Sequence, residues 1–253
     1  MGVLAEILAQ KERELPALRA RKLPAPPPRR PVRLASSGRL SLITEIKFRS
    51  PSAGKLSTVL SVAERAAAYE RAGASMLSIL CDERFFDGSF EHVSRARDAC
   101  SLPLLCKEFV IDEAQLDAAR AYGADAVLLI VRCLTPERTT ALVRAARERD
   151  LVPFVEVATE EEVKVALDAG SDLIGVNARD LDALVMDGAR AARVLAAIPS
   201  GVTRAHLSGL KQPADVARIR ASGADAALVG EALMRADDPE PLLRSLANAA
   251  SSA

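Results

Sequence analysis

Four times along this chain a helical run ends in a small-glycine-small cluster and an apolar strand follows at once. The junctions are Ala72-Gly73-Ala74-Ser75, Tyr122-Gly123-Ala124-Asp125, Ala169-Gly170-Ser171-Asp172 and Ser222-Gly223-Ala224-Asp225. Glycine suits the position just past a helix, where φ is positive, and lets the chain turn sharply into a strand. The strands predicted after these junctions are Met76–Leu80, Ala126–Val131, Leu173–Val176 and Ala226–Val229. Leu42–Lys47, Leu104–Cys106, Val152–Val157 and Thr203–Leu207 lie between them and bring the count to eight. Helical patterns separate them at Val62–Arg71, Glu91–Ala99, Glu113–Ala121, Pro136–Arg149, Glu160–Asp168, Gly188–Ala197, Ala214–Ala221 and Glu240–Ala249. Ser61, Asp112, Thr135 and Thr159 stand where N-caps belong, and Pro136 fits a first helical position. Strictly alternating strands and helices, eight of each, predict an α/β chain folded as a (β/α)8 (TIM) barrel. An open doubly wound sheet is the competing fold, but no dinucleotide fingerprint follows the first strand.

Val3–Arg21 has apolar residues at helical intervals, and Leu23-Pro24-Ala25-Pro26-Pro27-Pro28 then stops it. The expectation is one barrel domain over residues 1–253, with 1–40 as a helical extension and proline-rich connector. The extra helix should lie outside the barrel.

The 253 residues are 49% apolar, enough for a sizeable core. Lys plus Arg equals Asp plus Glu at 34 each, so nothing draws the chain to nucleic acid or an anionic membrane. No apolar run is long enough for a membrane helix, and the first residues lack the basic start of a signal peptide. Cys81, Cys100, Cys106 and Cys133 lack metal-type spacing and read as reduced small hydrophobes, which suits a cytoplasmic protein. No metal site is expected. Lysine is scarce: Lys11, Lys22, Lys47, Lys55, Lys107, Lys164 and Lys211 are all there are. A lysine at a strand end therefore suggests a need for ammonium chemistry.

In such a barrel the chemistry sits at the strands' C-terminal ends. Strand one brings Glu45 and Lys47, two residues apart and so on one face, before the hydroxyl-rich turn Ser50-Pro51-Ser52-Ala53-Gly54, read as a mobile loop. Strand three ends in Lys107-Glu108, strand five carries Glu156 inside an apolar run, and strand six ends in Asn177-Ala178-Arg179-Asp180. Glu156 is the base candidate, because apolar neighbours should raise its pKa. Lys107 is the acid candidate. Lys47 nearby would lower its pKa, and Glu156 would oppose that. Ser208-Gly209 and Gly230-Glu231 read as a phosphate cradle, with Glu231–Met234 a one-turn helix whose Glu231 side chain points away from the anion. His206 reads as structural. Asp82 to Gly88, with Phe85-Phe86, reads as a loop packing over the rim.

Taken together, Glu45-Ile46-Lys47, Ser50-Pro51-Ser52, Cys106-Lys107-Glu108-Phe109, Val155-Glu156-Val157, Asn177-Ala178-Arg179-Asp180-Leu181, Ser208-Gly209 and Gly230-Glu231-Ala232-Leu233-Met234 resemble the indole-3-glycerol phosphate synthases of tryptophan biosynthesis. The resemblance covers nearly the whole chain, including the opening helix. It implies a cofactor-free ring closure of 1-(2-carboxyphenylamino)-1-deoxyribulose 5-phosphate, with loss of CO2 and water. It implies Lys107 as the acid at the ribulose carbonyl, Lys47 as holder of the substrate carboxylate and acid in dehydration, and Glu156 as base. Glu45 and Asn177 would orient these groups, and Ser50, Arg179, Gly209 and Gly230 would surround the phosphate or rim. A monomer or weak homo-oligomer, with a possible partner enzyme of the same pathway, is expected. Two positions depart from the family's pattern: Leu207 stands where Glu precedes Ser-Gly, and Phe48 stands where a basic residue is common. The lost carboxylate predicts a working but slower enzyme. The competing readings are a phosphoribosylanthranilate isomerase-like barrel, which would want a Cys at the end of strand one, and a relative that has lost catalysis through the Leu207 change and binds a phosphate ligand or a tryptophan-pathway partner.

Overall fold

The eight apolar runs form strands β1 (Ser41–Ile46), β2 (Met76–Leu80), β3 (Leu104–Lys107), β4 (Ala126–Ile130), β5 (Val152–Val157), β6 (Leu173–Val176), β7 (Thr203–His206) and β8 (Ala226–Val229). These positions come from a computed structural model that describes residues 2–34, 39–51, 54–179 and 185–251. Ser52, Ala53, Asp180 and Leu181, which belong to the motifs above, lie outside the described residues. Each strand pairs in parallel with the next, and β8 pairs with β1 through Ser41↔Ala226 to Thr44↔Val229, so the sheet closes into a barrel. A closed parallel sheet has no edge, and helices cover its outer face, which is why the strands are apolar throughout.

The helices are α1 (Val3–Ala20), α2 (Val62–Arg71), α3 (Glu83–Phe86), α4 (Phe90–Ala99), α5 (Glu113–Ala121), α6 (Pro136–Glu148), α7 (Glu160–Asp168), α8 (Gly188–Ala196), α9 (Pro213–Ala221), α10 (Glu231–Met234) and α11 (Glu240–Ser251). Side chains set their starts. Ser61 and Glu64 form a reciprocal capping box at α2, Asp112 and Gln115 another at α5, and Thr135 caps α6 with Pro136 behind it. At their ends Gly73 and Gly123 take φ of 96° and 98°, the backbone that turns each helix into the next strand.

Strand alternation sorts the core into two bodies. Leu42, Ile46, Leu77, Ile79, Leu104, Val127, Val155 and Val176 face outward and pack with helix residues such as Tyr69, Val93, Leu116, Leu142 and Leu243. Ile43, Met76, Leu105, Leu128, Phe154, Leu173, Ala205, Leu207 and Leu228 fill the barrel interior. Cys81, Cys100 and Cys106 are buried and Cys133 is half-buried, all as free thiols.

Three elements differ from the sequence reading. The segment Asp82 to Gly88 is not simply a loop: it holds α3, started by Asp82 Oδ1, which accepts the Phe85 N–H at 2.7 Å. A four-residue helix carries too little periodicity to announce itself. The turn after β1 contains a short ribbon pairing Arg49–Ser50 with Gly54–Lys55. The opening helix is an added element outside the strands, as expected, but it also packs into the barrel's interior: Leu4 and Ile7 join the interior cluster, together with Leu34 from the connector's far end. The connector itself crosses to the opposite pole, where the Arg30 N–H donates to Asp125 Oδ1 at 2.6 Å.

Candidate active site

The C-terminal ends of the strands open on a cavity of about 190 Å3. Glu45, Lys47, Ser50, Lys107, Glu156, Asn177, Arg179, Ser208, Gly209, Gly230 and Glu231 all line it, so the residues given catalytic or substrate-binding roles fall on one mouth. The strand register brings them together. Glu45 sits beside Ser78 of β2, whose Leu80 pairs with Lys107, and Glu156 lies between Ile130 and Gly175.

One carboxylate holds both ammonium groups. Glu45 Oε2 is 2.6 Å from Lys47 Nζ, and Oε1 is 3.1 Å from Lys107 Nζ. Glu45 is shut away at 3% side-chain exposure, while Lys47 and Lys107 keep 18% and 19% and so can meet a ligand. Burial alone would push the Glu45 carboxyl up, but Lys107 and Lys47 overcome it and hold its pKa at about 2. Burial pulls the Lys107 ammonium down, yet Glu45 and Glu156 outweigh it and the net shift is upward. The two carboxylates therefore decide the direction, not Lys47, which the sequence reading set against Glu156.

Across the mouth, the Asn177 amide donates from Nδ2 to Glu156 Oε1 at 2.9 Å. Its Oδ1 accepts from Ser208 Oγ at 2.9 Å and from the Arg179 N–H at 3.0 Å, which fixes the amide's orientation. The other Glu156 oxygen, Oε2, is buried with no hydrogen-bond partner among the described residues. Desolvation raises the Glu156 pKa, the direction expected from its apolar strand. A carboxyl with one oriented oxygen, one open oxygen and raised basicity can accept a proton from a bound molecule.

At the ends of β7 and β8 the chain runs close to the cavity. Gly209, at φ 91°, has Met186 Cε 2.9 Å from where a Cβ would sit, and Gly230 leaves only 2.6 Å between such a Cβ and Glu45 Oε2. The Glu231 side chain pairs with Arg235 at 2.9 Å, and the residue lines the same cavity. His206 is buried on the side opposite Ala205 and Leu207, hence facing the helices.

Leu207, the position that departs from the family's pattern, points inward. Gly175 opposite it has no side chain, and a Cβ there would meet Leu207 Cδ1 and Phe154 Cε2, each at 2.6 Å. So the site a carboxylate would occupy is an apolar ledge. Phe48 lies edge-on to His92, centroids 5.6 Å apart, instead of supplying charge.

Sequence reasoning missed the apolar walls. Val3, Leu4 and Ile7 come from α1, Phe86 from α3, Phe109 from the turn after β3, and Met186 from the segment before α8. The α1 stripe left its helical spacing and Phe86 read as part of a rim loop, but the wall they build together was not foreseen. Phe86 and Phe109 meet at 5.9 Å through tertiary packing that no local pattern encodes.

Solved structures with the same architecture include a thiamine phosphate pyrophosphorylase from Pyrococcus furiosus and a 3-hexulose-6-phosphate synthase. They match 84% and 83% of this chain, and 96% and 99% of their own, with TM-scores of 0.64 and 0.65. Their sequence identities of 16% and 17% establish the barrel and no more. Sequence relatives are far nearer. Indole-3-glycerol phosphate synthase 2 of Streptomyces coelicolor is 42% identical over 97% of this chain and 98% of its own length. The indole-3-glycerol phosphate synthases of a Parafrankia species and of Mycobacterium avium are 42% and 39% identical, each over 98% of this chain and over 93% and 92% of their own lengths. Residues 3–246 match the indole-3-glycerol phosphate synthase family as a whole, from the helix over the mouth to the last helix of the barrel. With the barrel, the convergent strand ends and that full-length match in hand, this chain is a member of the indole-3-glycerol phosphate synthase family.

Proposed function

We propose that the chain is an indole-3-glycerol phosphate synthase, a carboxy-lyase that converts 1-(2-carboxyphenylamino)-1-deoxyribulose 5-phosphate to indole-3-glycerol phosphate. The observation that carries this reading is the division of the mouth. Two ammonium groups share one buried carboxylate, and a second carboxyl with an open oxygen faces the same cavity. Lys107 donates a proton to the ribulose carbonyl oxygen as the carboxyl-bearing ring carbon attacks, which leaves a hydroxyl. The carboxylate, held by Lys47, departs as CO2, and its electron pair restores the aromatic ring. The hydroxyl leaves as water with a proton from Lys47, while Glu156 Oε2 takes the proton from the adjacent carbon and the ring double bond forms. Glu45 holds both lysines in place, and Asn177 holds Glu156 for its role.

The phosphate end goes to the rim formed by Ser50, Arg179, Ser208, Gly209 and Gly230, where backbone N–H groups at the ends of β7 and β8 suit an anion. Fixing that end positions the reacting end. The isomerase alternative is not favoured, because β1 leads into Lys47 and offers no thiol. We read residues 1–253 as one domain, active in the cytoplasm as a monomer or weak homo-oligomer and able to meet a partner enzyme of the same pathway. The equal counts of basic and acidic residues support independence from nucleic acid and membranes.

Incubation with the anilino-ribulose phosphate should produce indole fluorescence. Lys107→Ala and Glu156→Gln should each lower kcat by about 10²–10⁴-fold. Turnover that survives both substitutions rejects these roles.

A further inference from the structure

Seven lysines are present, and Lys22, Lys55, Lys164 and Lys211 are exposed. Lys47 and Lys107 serve the mouth, which leaves Lys11. It lies on the buried stripe of α1 with Leu4 and Ile7, and only 2% of it is exposed. Its Nζ is 2.7 Å from Asp82 Oδ2, 3.2 Å from Glu108 Oε1 and 2.9 Å from Glu14 Oε2. Its Nζ donates hydrogen bonds to Glu14 and Glu108, and the buried Asp82 carboxylate completes the cluster as an ion pair.

The three pieces tied by this ammonium have something in common. Helix α1 puts Leu4 and Ile7 into the active-site cavity. Asp82 starts α3, which puts Phe86 there. Glu108 accepts the Phe109 N–H at 2.7 Å, follows Lys107 directly, and precedes the ring that meets Phe86. The backbone at Lys107 is braced from the same side, where its carbonyl accepts the Cys81 N–H at 3.0 Å. Among the described residues, the other ion pairs from α1 and its C-cap to the rest of the fold, Arg19–Asp112 and Arg21–Glu91, use arginines that are 57% and 44% exposed and add little rigidity. A buried charge cluster gains little stability over an apolar one, which directs attention to its geometry.

We propose that Lys11, Asp82 and Glu108 are positioning residues that lock α1, α3 and the turn after β3 into a single apolar wall, and that this wall seats the aryl end of the substrate beside Lys107. The choice of ligand rests on the function proposed above. The wall itself does not.

The test compares the wild type with Lys11→Met and with Lys11→Met/Asp82→Asn/Glu108→Gln, which removes every charge of the trio while keeping its shape. We expect KM for the anilino-ribulose phosphate to rise about tenfold in both variants, with kcat within about threefold of wild type. We expect α1 amides to exchange hydrogen at least about tenfold faster, while β4–β6 amides keep wild-type protection. If either folded variant keeps wild-type KM and α1 protection, the proposal is overturned. A triple variant that fails to fold also overturns it, because the cluster would then carry the fold and not the wall. An inactive wild type would reject the function but not the wall, which the exchange measurement decides by itself.

Discussion

A single added methyl at Gly230 would collide with the group that holds both lysines. Its Cβ would sit 2.6 Å from Glu45 Oε2 and 3.0 Å from Glu45 Cβ. Gly230→Ala should therefore lower kcat/KM by about 10-fold or more while the fold survives, since Gly230 has negative φ and the atoms met belong to one side chain. Circular dichroism together with steady-state kinetics checks this. Glu45 also ties activity to acid stability. Its carboxyl sits at about 2 against an ordinary 4.5, so the native state holds fewer protons than the unfolded chain between those values. That contribution is complete above pH 4.5 and is lost as pH falls toward 2, on the order of 3 kcal/mol. Acid denaturation of Glu45→Gln should show a shallower pH slope there, by about one proton. Glu45, Lys47, Lys107 and Glu156 were legible in the sequence, because charges at the ends of apolar strands stand out. The Asn177–Glu156 bond was not, because it depends on how β5 and β6 slide against each other.

At the scale of elements, β6 and β7 are fitted through an absence. Gly175 leaves the space that Leu207 and Phe154 fill. Gly175→Ala should cost about 1–3 kcal/mol by overpacking, and Leu207→Ala in the same chain should recover part of it. Urea unfolding of the two single variants and the double variant measures the coupling. The positions of all eight strands were readable from apolar runs and glycine junctions, with ends displaced by a residue: β1 stops at Ile46, β3 reaches Lys107 and β7 stops at His206. Such ends are set by pairing with neighbours, to which single-strand patterns are blind. Helix α3 and the burial of α1 escaped for the same reason, since both depend on surfaces contributed by distant parts of the chain.

Over the whole molecule, the two poles divide labour. Asp125, fully buried at the entry to β4, takes Arg97 Nη1 at 2.8 and 2.9 Å, the Leu104 N–H at 2.9 Å and the Arg30 N–H at 2.6 Å. Among the described residues, none that lines the mouth bonds to this cluster, and in barrels of this kind that pole serves stability. Asp125→Ala should thus lower stability by on the order of 3 kcal/mol, about 10 °C in Tm, with kcat and KM unchanged. Calorimetry and an activity assay on one preparation decide it. The eightfold alternation foretold this architecture. The route of the proline-rich connector from one pole to the other could not be foretold, because an extended segment without periodicity has no address until something receives it.

That route leaves the two ends of the described chain far apart in purpose. Val3 opens onto the cavity, whereas the Ala250 carbonyl accepts the N–H of Leu40 at the root of β1. A dye, bead or surface coupled beyond residue 251 would therefore leave the doorway clear for reactants. The same cargo attached ahead of Val3 would stand in it.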